Sequence, residues 1–517
     1  MSRSRLRLAA CAAAVALLAA TSSTVAATAQ GSEPVLAAPL VRFPFPQEDG
    51  SLTPYTFELG YSLMTLVYDT LLWRDVEGVP QPWLAETVDT SPDGRQVTIR
   101  LREGATWHDG VPVTSADVAF TFGHVADRPH PRFTGEVSQV ERVDTPDPRT
   151  AVISLSAPAP GFGDQPLADL PILPRHLWRD LPADKLAPDG LPVGSGPYRL
   201  VEHVPDERYR FEANEWYFRG KPAVDVLEVP IIRTANETVR ALERRDVDMI
   251  PASLPEDLAR RADTLSLEVL TGPSYVGTVL LLNVRTPPFD RPDVRQAVAR
   301  ALDLSRIART AGTAVPADHG YLHPESAFAS PDVVHAVDVE AARPVLAALG
   351  APIVVLVPDN DPVKSDAGRQ VVQSLLGAGA TAEVQQVPRD QLDQAIGFDG
   401  GDPTFQAAVV ASPPLASHDP VFLSRLFGTG APFNYSGYSS PAFDEAAGRV
   451  ATTADPEQRL AATWESLQIL AADAPVIPLF FAEGAFAYRP AAYDGWVYVK
   501  GAGILDKRSF VEPGSGR

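Results

Sequence analysis

Residues Tyr68 to Phe122 read YDTLLWRDVEGVPQPWLAETVDTSPDGRQVTIRLREGATWHDGVPVTSADVAFTF. The stretch opens on the end of a short apolar helix and passes through a proline-rich crossing. Pro92-Asp93-Gly94 supplies a hairpin turn, after which Val97, Ile99 and Leu101 alternate with polar residues as in a half-buried strand. A second turn at Asp109-Gly110 precedes the start of a helix.

Further segments extend that order of elements in both directions. They are SLTP at Ser51 to Pro54, PVGSGPYRL from Pro192, NEWYFRGKP from Asn214 and RRDVDMI from Arg244. LLNVRTPPFDRPDVRQAVARALDLSRI from Leu281 and NYSGYSSPAFDE from Asn434 complete the series. In kind, order and spacing these segments resemble the extracytoplasmic solute-binding proteins of family 5, the peptide- and nickel-binding receptors of ATP-binding cassette importers. The resemblance implies an α/β, bilobal fold of the type II periplasmic-binding-protein kind, with a hinge and an additional N-terminal subdomain. Lobe I would comprise residues 30–65, 195–275 and 480–517. The extra subdomain would be 66–194, and lobe II 276–479.

The bulk properties agree with a folded, several-domain chain. Its 517 residues correspond to roughly three domains at ~150 residues each. Hydrophobic residues at 45% and charged residues at 21% lie near globular averages, so the 50 prolines point to rigid loops and not to disorder. Residues 1–29 read as a signal peptide: Arg3, Arg5 and Arg7, an apolar run at Ala12 to Ala20, and a small-residue site at Ala27-Thr28-Ala29. Its removal would make the net charge of −21 three units more negative, a balance that disfavours nucleic acid and anionic lipid. No later apolar run approaches the ~18 residues that span a bilayer, so an extracytoplasmic, secreted or membrane-associated location is expected. Cys11, the sole cysteine, ends a lipobox-like LAAC, but it precedes most of the apolar run, which argues against lipidation. The mature chain then has neither a disulfide nor a thiol nucleophile.

Part of lobe II is legible without any comparison. Ile353 to Val357 is a buried-type strand, Ser365 to Leu376 a helix closed by Gly377 and Gly379, and Glu383 to Val387 a second strand. A helix at Arg389 to Ile396 and a strand at Phe405 to Val410 complete an alternation that predicts a parallel sheet. Ligands of such sheets bind beyond the carboxyl ends of the strands, here Pro358 to Asn360 and Ala411 to Pro420. Pro292 and Asp455-Pro456 each open a helix, the second with an expected core stripe of Leu460, Trp464, Leu467 and Ala471.

Signals for catalysis are weak. The sequence has no His-Glu-x-x-His, no Gly-x-Ser-x-Gly, no phosphate loop and no Cys/His cluster. Val193-Gly194-Ser195-Gly196 reads as a tight turn. His319 and His323 have metal-ligand spacing, but Gly320 and Pro324 break the helix that would use it. Asp359 to Asp366 begins like a calcium loop and lacks its glycine and terminal glutamate. Trp107-His108-Asp109-Gly110 reads as structural, and Trp73, Trp83, Trp178, Trp216 and Trp496 chiefly as core. No cofactor and no protein-held metal are expected.

The ligand-binding candidates lie in three places. Ser51, Leu52, Thr53, Tyr55 and Tyr61 occupy the first strand-to-loop exit, where the resemblance puts main-chain groups against a ligand. His418 and Asp419 lie beyond a strand end of lobe II, and Asn434, Tyr435 and Tyr438 form a polar, aromatic loop. Each is either a ligand contact or local structure. Peptide-binding relatives often carry an aspartate a few residues before an Asp-Pro pair, where it neutralises the ligand's amino group. Anchored on Asp419-Pro420, that position is Ala416. Either Asp419 takes the role, the loop aligns differently, or the ligand is not a free-amine peptide, because a buried ammonium without a counter-ion is costly. The expected function is a monomeric receptor that captures peptides or peptide-like solutes and delivers them to a membrane permease. Alternatives are a nickel or metal-chelate receptor and, from another class, a secreted peptide hydrolase.

Overall fold

A computed structural model describes residues 35–515 apart from 58, 131, 251–255 and 313. The segment read as a signal peptide lies outside the described residues.

The opening stretch folds as its pattern predicts. Ala85–Thr90 and Gln96–Leu101 pair antiparallel across the Pro92-Asp93-Gly94 turn, and Thr150–Leu155 and Val140–Asp147 extend them to a four-stranded sheet. Val97, Ile99 and Leu101 point into a core shared with Trp107 and with Val118 and Phe122 of the helix Ser115–Asp127. Each such side chain contributes ~1.5–3 kcal/mol by leaving water. The Asp117 carboxylate accepts the Thr114 N–H at 2.8 Å, closing a capping box that fixes the helix start.

His108 is structural, as expected. Its Nδ1 accepts the Gly194 N–H at 3.2 Å and its Nε2 contacts the Gly196 carbonyl at 3.0 Å, so the WHDG turn grips the VGSGPY turn. Burial pushes the imidazole pKa down to about 4, which keeps it neutral and lets Nδ1 act as an acceptor. Of the five tryptophans singled out above, four are buried; Trp216 is 83% exposed.

A second sheet runs in the order Ala38–Arg42, Val224–Pro230, Arg208–Ala213, Tyr198–Val204, the first pair parallel and the others antiparallel. Its core holds Val41, Leu52, Leu63, Phe211, Leu227, Trp496 and Phe510, drawn from the beginning, middle and end of the chain.

The third sheet is the largest, in the order Met249–Ile250, Val476–Tyr488, Glu268–Leu282, Ala407–Ser412, Ile353–Pro358, Ala382–Val387, with Ala314–Pro316 added on Val476–Tyr488. Ile353–Pro358 is parallel to both Ala382–Val387 and Ala407–Ser412, as the alternation predicts. The parallel region is only part of the sheet, because Ala407–Ser412 continues antiparallel into Glu268–Leu282. The strand expected from Phe405 starts at Ala407: the Phe405 carbonyl accepts the Asn283 side chain at 2.9 Å, and Gln406 Oε1 accepts the Val354 N–H at 2.8 Å.

The helix Pro456–Asp473 is capped by the Asp455 side chain on the Gln458 N–H. Its buried face corrects the expected stripe. Leu467 is buried with Arg459, Ala462, Thr463, Ser466 and Leu470, whereas Leu460 and Trp464 are half-buried and Ala471 is exposed. Polar residues conceal the true face: Thr463 and Ser466 return their hydroxyls to carbonyls four residues earlier, and Arg459 is ion-paired.

Candidate functional site

The loop after Ala407–Ser412 runs through the short helix Leu415–His418 to Asp419-Pro420 and packs against three glycines from distant parts of the chain. A Cβ at Gly161 would lie 2.8 Å from Asp419 Oδ2, and Cβ atoms at Gly78 and Gly501 would lie 3.3 and 2.9 Å from the His418 ring. Side chains at Gly161 and Gly501 would press on the Asp419 and His418 side chains. Lys500 joins the same contact by pairing with Glu325 at 3.1 Å.

Charged side chains line this meeting surface. Arg459 donates to Asp419 Oδ1 at 2.6 Å, and that oxygen also accepts the Val421 N–H at 2.8 Å. On the facing side Arg74 donates to Asp164 Oδ1 at 2.5 Å. Next to them Arg132 makes a two-pronged contact with Asp169, Nε at 2.9 Å and Nη2 at 2.6 Å, while its guanidinium lies 4.0 Å from the centre of the Tyr61 ring. The Tyr61 hydroxyl donates to the Asp169 carbonyl at 2.8 Å. Arg425 crosses from the other side to the Arg132 carbonyl at 2.9 Å.

The environment divides these carboxylates. Burial and the neighbouring Asp419 raise Asp164 to about 6 against the opposing pull of Arg74. Burial also works against the Asp169 carboxylate, but the Arg132 guanidinium and its hydrogen bonds outweigh it and hold the pKa below the usual range. Burial, then Arg74, push His418 well below its ordinary value, so this histidine is neutral.

The predicted residues fall into two groups. Tyr61, His418 and Asp419 belong to the meeting surface. Ser51, Thr53 and Tyr55 sit in a turn beside it, where Thr53 Oγ1 is 2.9 Å from Thr56 Oγ1 and the Tyr55 hydroxyl donates to the Arg128 carbonyl at 2.9 Å. Leu52 is buried in the core of the second sheet. In the 434–438 loop the polar atoms serve local structure. Asn434 Nδ2 donates to the Gly428 and Tyr438 carbonyls, and its Oδ1 accepts the Ser436 hydroxyl and the Tyr438 N–H. Tyr438 is buried and bonds to Asp473 at 2.5 Å. Tyr435 packs on Phe398, ring centres 5.8 Å apart, and its carbonyl holds Arg285. The Leu52 and Tyr438 side chains are thus held in cores, and the Asn434 side chain by its own loop.

Sequence reasoning missed Arg74, Arg132, Asp164, Asp169, Arg425 and Arg459. Arg74 stands inside the opening stretch, in YDTLLWRD, where hydrophobic patterning drew attention to its neighbours. Among the described residues no three His, Cys, Asp or Glu side chains converge to hold a metal ion.

The profile of the bacterial extracellular solute-binding proteins, family 5, middle, matches residues 79–433, more than half of the chain. A Brucella ovis protein named as an ABC transporter peptide-binding protein is 27% identical over 356 residues. That match spans 66% of this chain and 66% of the relative, just under two thirds of the relative's own length. The oligopeptide-binding protein AppA of Bacillus subtilis, solved with a nonapeptide, superposes with a TM-score of 0.77 at 19% identity, covering 90% of this chain and 98% of that one. NikZ of Campylobacter jejuni, solved with Ni(L-His), gives a TM-score of 0.78 at 21% identity, covering 87% and 94%. At these identities the two structures establish the bilobal α/β fold, and the profile match establishes kinship: the chain belongs to the bacterial extracellular solute-binding proteins of family 5.

Proposed function

We propose that this protein is the substrate-binding receptor of an ATP-binding cassette importer, which captures a peptide or peptide-like solute between two lobes outside the cytoplasmic membrane and passes it unchanged to a permease. The observation that carries this reading is the two-sided surface on which the Ala416–Asp419 loop meets Gly78, Gly161 and Gly501. A surface built from both lobes and lined with charged groups suits a guest held at the interface, and family membership supplies the transport role. The peptide class is supported by what the Brucella relative is named for and by the nonapeptide of AppA.

The lobes we propose are residues 30–65, 195–275 and 480–517 on one side, with 66–194 packed on it, and 276–479 on the other. Glu268–Leu282 and Val476–Tyr488 would then be the hinge strands. Their pairing slips between Pro273 and Gly277, close to both proposed boundaries, and a break in the ladder is where two long strands bend most easily. A ligand that binds better when the lobes are together draws them together by its differential affinity.

Native mass spectrometry of the freshly purified protein, followed by thermal unfolding with peptides, amino acids and nickel chelates, tests the reading. A cognate peptide raises the midpoint by mass action and compacts the protein in X-ray scattering. Stabilisation by nickel–histidine alone would move the assignment to metal chelates. Turnover of the bound peptide would make the protein a hydrolase.

A further inference from the structure

A cavity of about 350 Å³ opens between the helices Pro292–Ala301 and Pro456–Asp473. That volume lies within the range of small-molecule sites, ~300–1,000 Å³. Its floor is apolar: Tyr321, Val333, Leu467, Leu470, Val476 and Ile477 line it, and each is at most 7% exposed. It is distinct from the charged meeting surface. Arg459, which holds Asp419, stands at the start of Pro456–Asp473, whereas the cavity wall is built at the other end, around Leu470, ~16 Å further along the helix axis.

The polar side chains of the lining are engaged with one exception. Gln296 Nε2 donates to the Ala472 carbonyl at 3.0 Å, His335 Nε2 is 2.8 Å from the Leu302 carbonyl, and the Tyr321 hydroxyl bonds to Ser412. Arg300 is the exception. It lies on the same face of Pro292–Ala301 as Gln296 and is exposed, and its guanidinium pairs with no other described side chain. The arginines just before it differ: Arg291 pairs with Asp293, and Arg295 donates to the Asp473 and Phe289 carbonyls. In a chain with 65 acidic and 44 basic side chains, a guanidinium left without a carboxylate beside an apolar cavity is open to an anion from outside. Val334, also in the lining, is 64% exposed and offers apolar surface that an occupant would cover.

We propose that this cavity binds a small carboxylate with an apolar tail, the carboxylate paired with Arg300 and the tail laid on the floor beneath it. The planar guanidinium presents parallel N–H donors that match the two oxygens of a carboxylate. A cationic ligand would meet the Arg300 charge, and a neutral hydrocarbon would leave the guanidinium unused. A wholly polar anion would leave the floor uncovered. The site is additional to the one proposed between the lobes and does not depend on what is captured there.

The test titrates octanoate, hexanoate, octanol and octylammonium into the purified protein by calorimetry at fixed ionic strength. Octanoate should bind best. Hexanoate should be about tenfold weaker, because two fewer methylenes leave water. Octanol should also be about tenfold weaker, and octylammonium weaker still. Arg300→Gln, at an exposed position, should bring octanoate down to the level of octanol and leave octanol unchanged. Ala471→Trp, which fills the cavity from an exposed helix position, should abolish binding of all four. Thermal unfolding without additive checks that both variants fold. A wild-type protein that binds none of the four, or binds octanol or octylammonium as well as octanoate, overturns the proposal without any variant. Octanoate binding that persists in a folded Ala471→Trp protein would place the ligand elsewhere, and unchanged octanoate affinity in folded Arg300→Gln would remove the carboxylate contact; either result overturns it.

Discussion

The Asp69 carboxylate and the Lys507 ammonium, 438 positions apart in the chain, meet at 2.8 Å with both side chains wholly buried. Asp69 Oδ1 also accepts Trp83 Nε1 and the Tyr217 hydroxyl, both at 3.0 Å, and Oδ2 accepts the Ser195 hydroxyl at 3.3 Å. Lys507 Nζ lies 4.1 Å from the centre of the Trp73 ring. One ion pair therefore ties the YDTLLW, PWL, GSGPY and NEWYF segments to the C-terminal tail. Burial lowers the lysine pKa, yet its partners are so arranged that removing one would strand the other. Lys507→Met should cost ~3–5 kcal/mol in denaturant unfolding, and Asp69→Asn combined with Lys507→Met should cost less than the two singles added together. Strict additivity would show that the pair is not coupled.

The two glycines of the turn beside this pair admit no side chain. A Cβ on Gly194 would lie 1.9 Å from the Val67 carbonyl oxygen, and one on Gly196 2.4 Å from the Leu66 carbonyl oxygen. These are backbone collisions that no rotamer relieves. Gly194→Ala should lose more than ~4 kcal/mol or fail to accumulate as soluble protein. Ser195→Ala, which removes a single hydrogen bond, should cost only ~1 kcal/mol. Soluble yield and unfolding midpoint check both, and a normal midpoint for Gly194→Ala would contradict the packing described.

Acid should loosen the fold through its histidines. Burial holds His108, His130 and His323 at about 4, below the ordinary value of 6.5. The unfolded chain therefore takes up protons between pH 6.5 and 4 that the native state refuses. The associated stability is complete above pH 6.5 and declines as the pH falls through that window, by at most about 3 kcal/mol for each histidine. Thermal midpoints of the unliganded protein should drop between pH 7 and 4.5. His108→Gln should begin lower and fall less steeply, and an identical slope in the variant would rule out a contribution from His108.

How much of this was legible in advance depended on whether a residue's role was local. The hairpin at Asp93-Gly94, the strand of Val97, Ile99 and Leu101, and the helices opened by Pro292 and Pro456 follow from periodicity and turn chemistry alone, and they formed where expected. The mixed sheet did not follow, because the partner of Ala407–Ser412 is a strand about 130 positions earlier, and no local signal encodes that pairing. Candidate site residues fared by the same rule. Asn434 sits in a loop whose polarity suggested ligand contact, yet its side chain is consumed by the turn it stabilises. Arg74 and Asp164 were invisible because a charged residue in an apolar segment reveals itself only when its partner, 90 positions away, is brought beside it.

Arg425 reaches across the meeting surface to the Arg132 carbonyl at 2.9 Å, stands 5.1 Å from the centres of both the Phe422 and Phe433 rings, and in the proposed two-lobe reading would help hold a closed arrangement. Its target is rigid, since Arg132 is clamped to Asp169 and lies over Tyr61. A hydrogen bond from a charged donor contributes ~1.5–3 kcal/mol, and this one exists only when the two sides are together. Arg425→Ala should therefore weaken ligand affinity by roughly tenfold or more, mainly through faster release, while leaving each side folded. Gly161→Val should act in the same direction by a different route, because its side chain would press on Asp419 and hold the surfaces apart. Scattering should find both variants more extended than wild type at equal ligand saturation. If either variant closed as fully as wild type, the Arg425 contact and the Gly161 approach would be incidental to closure.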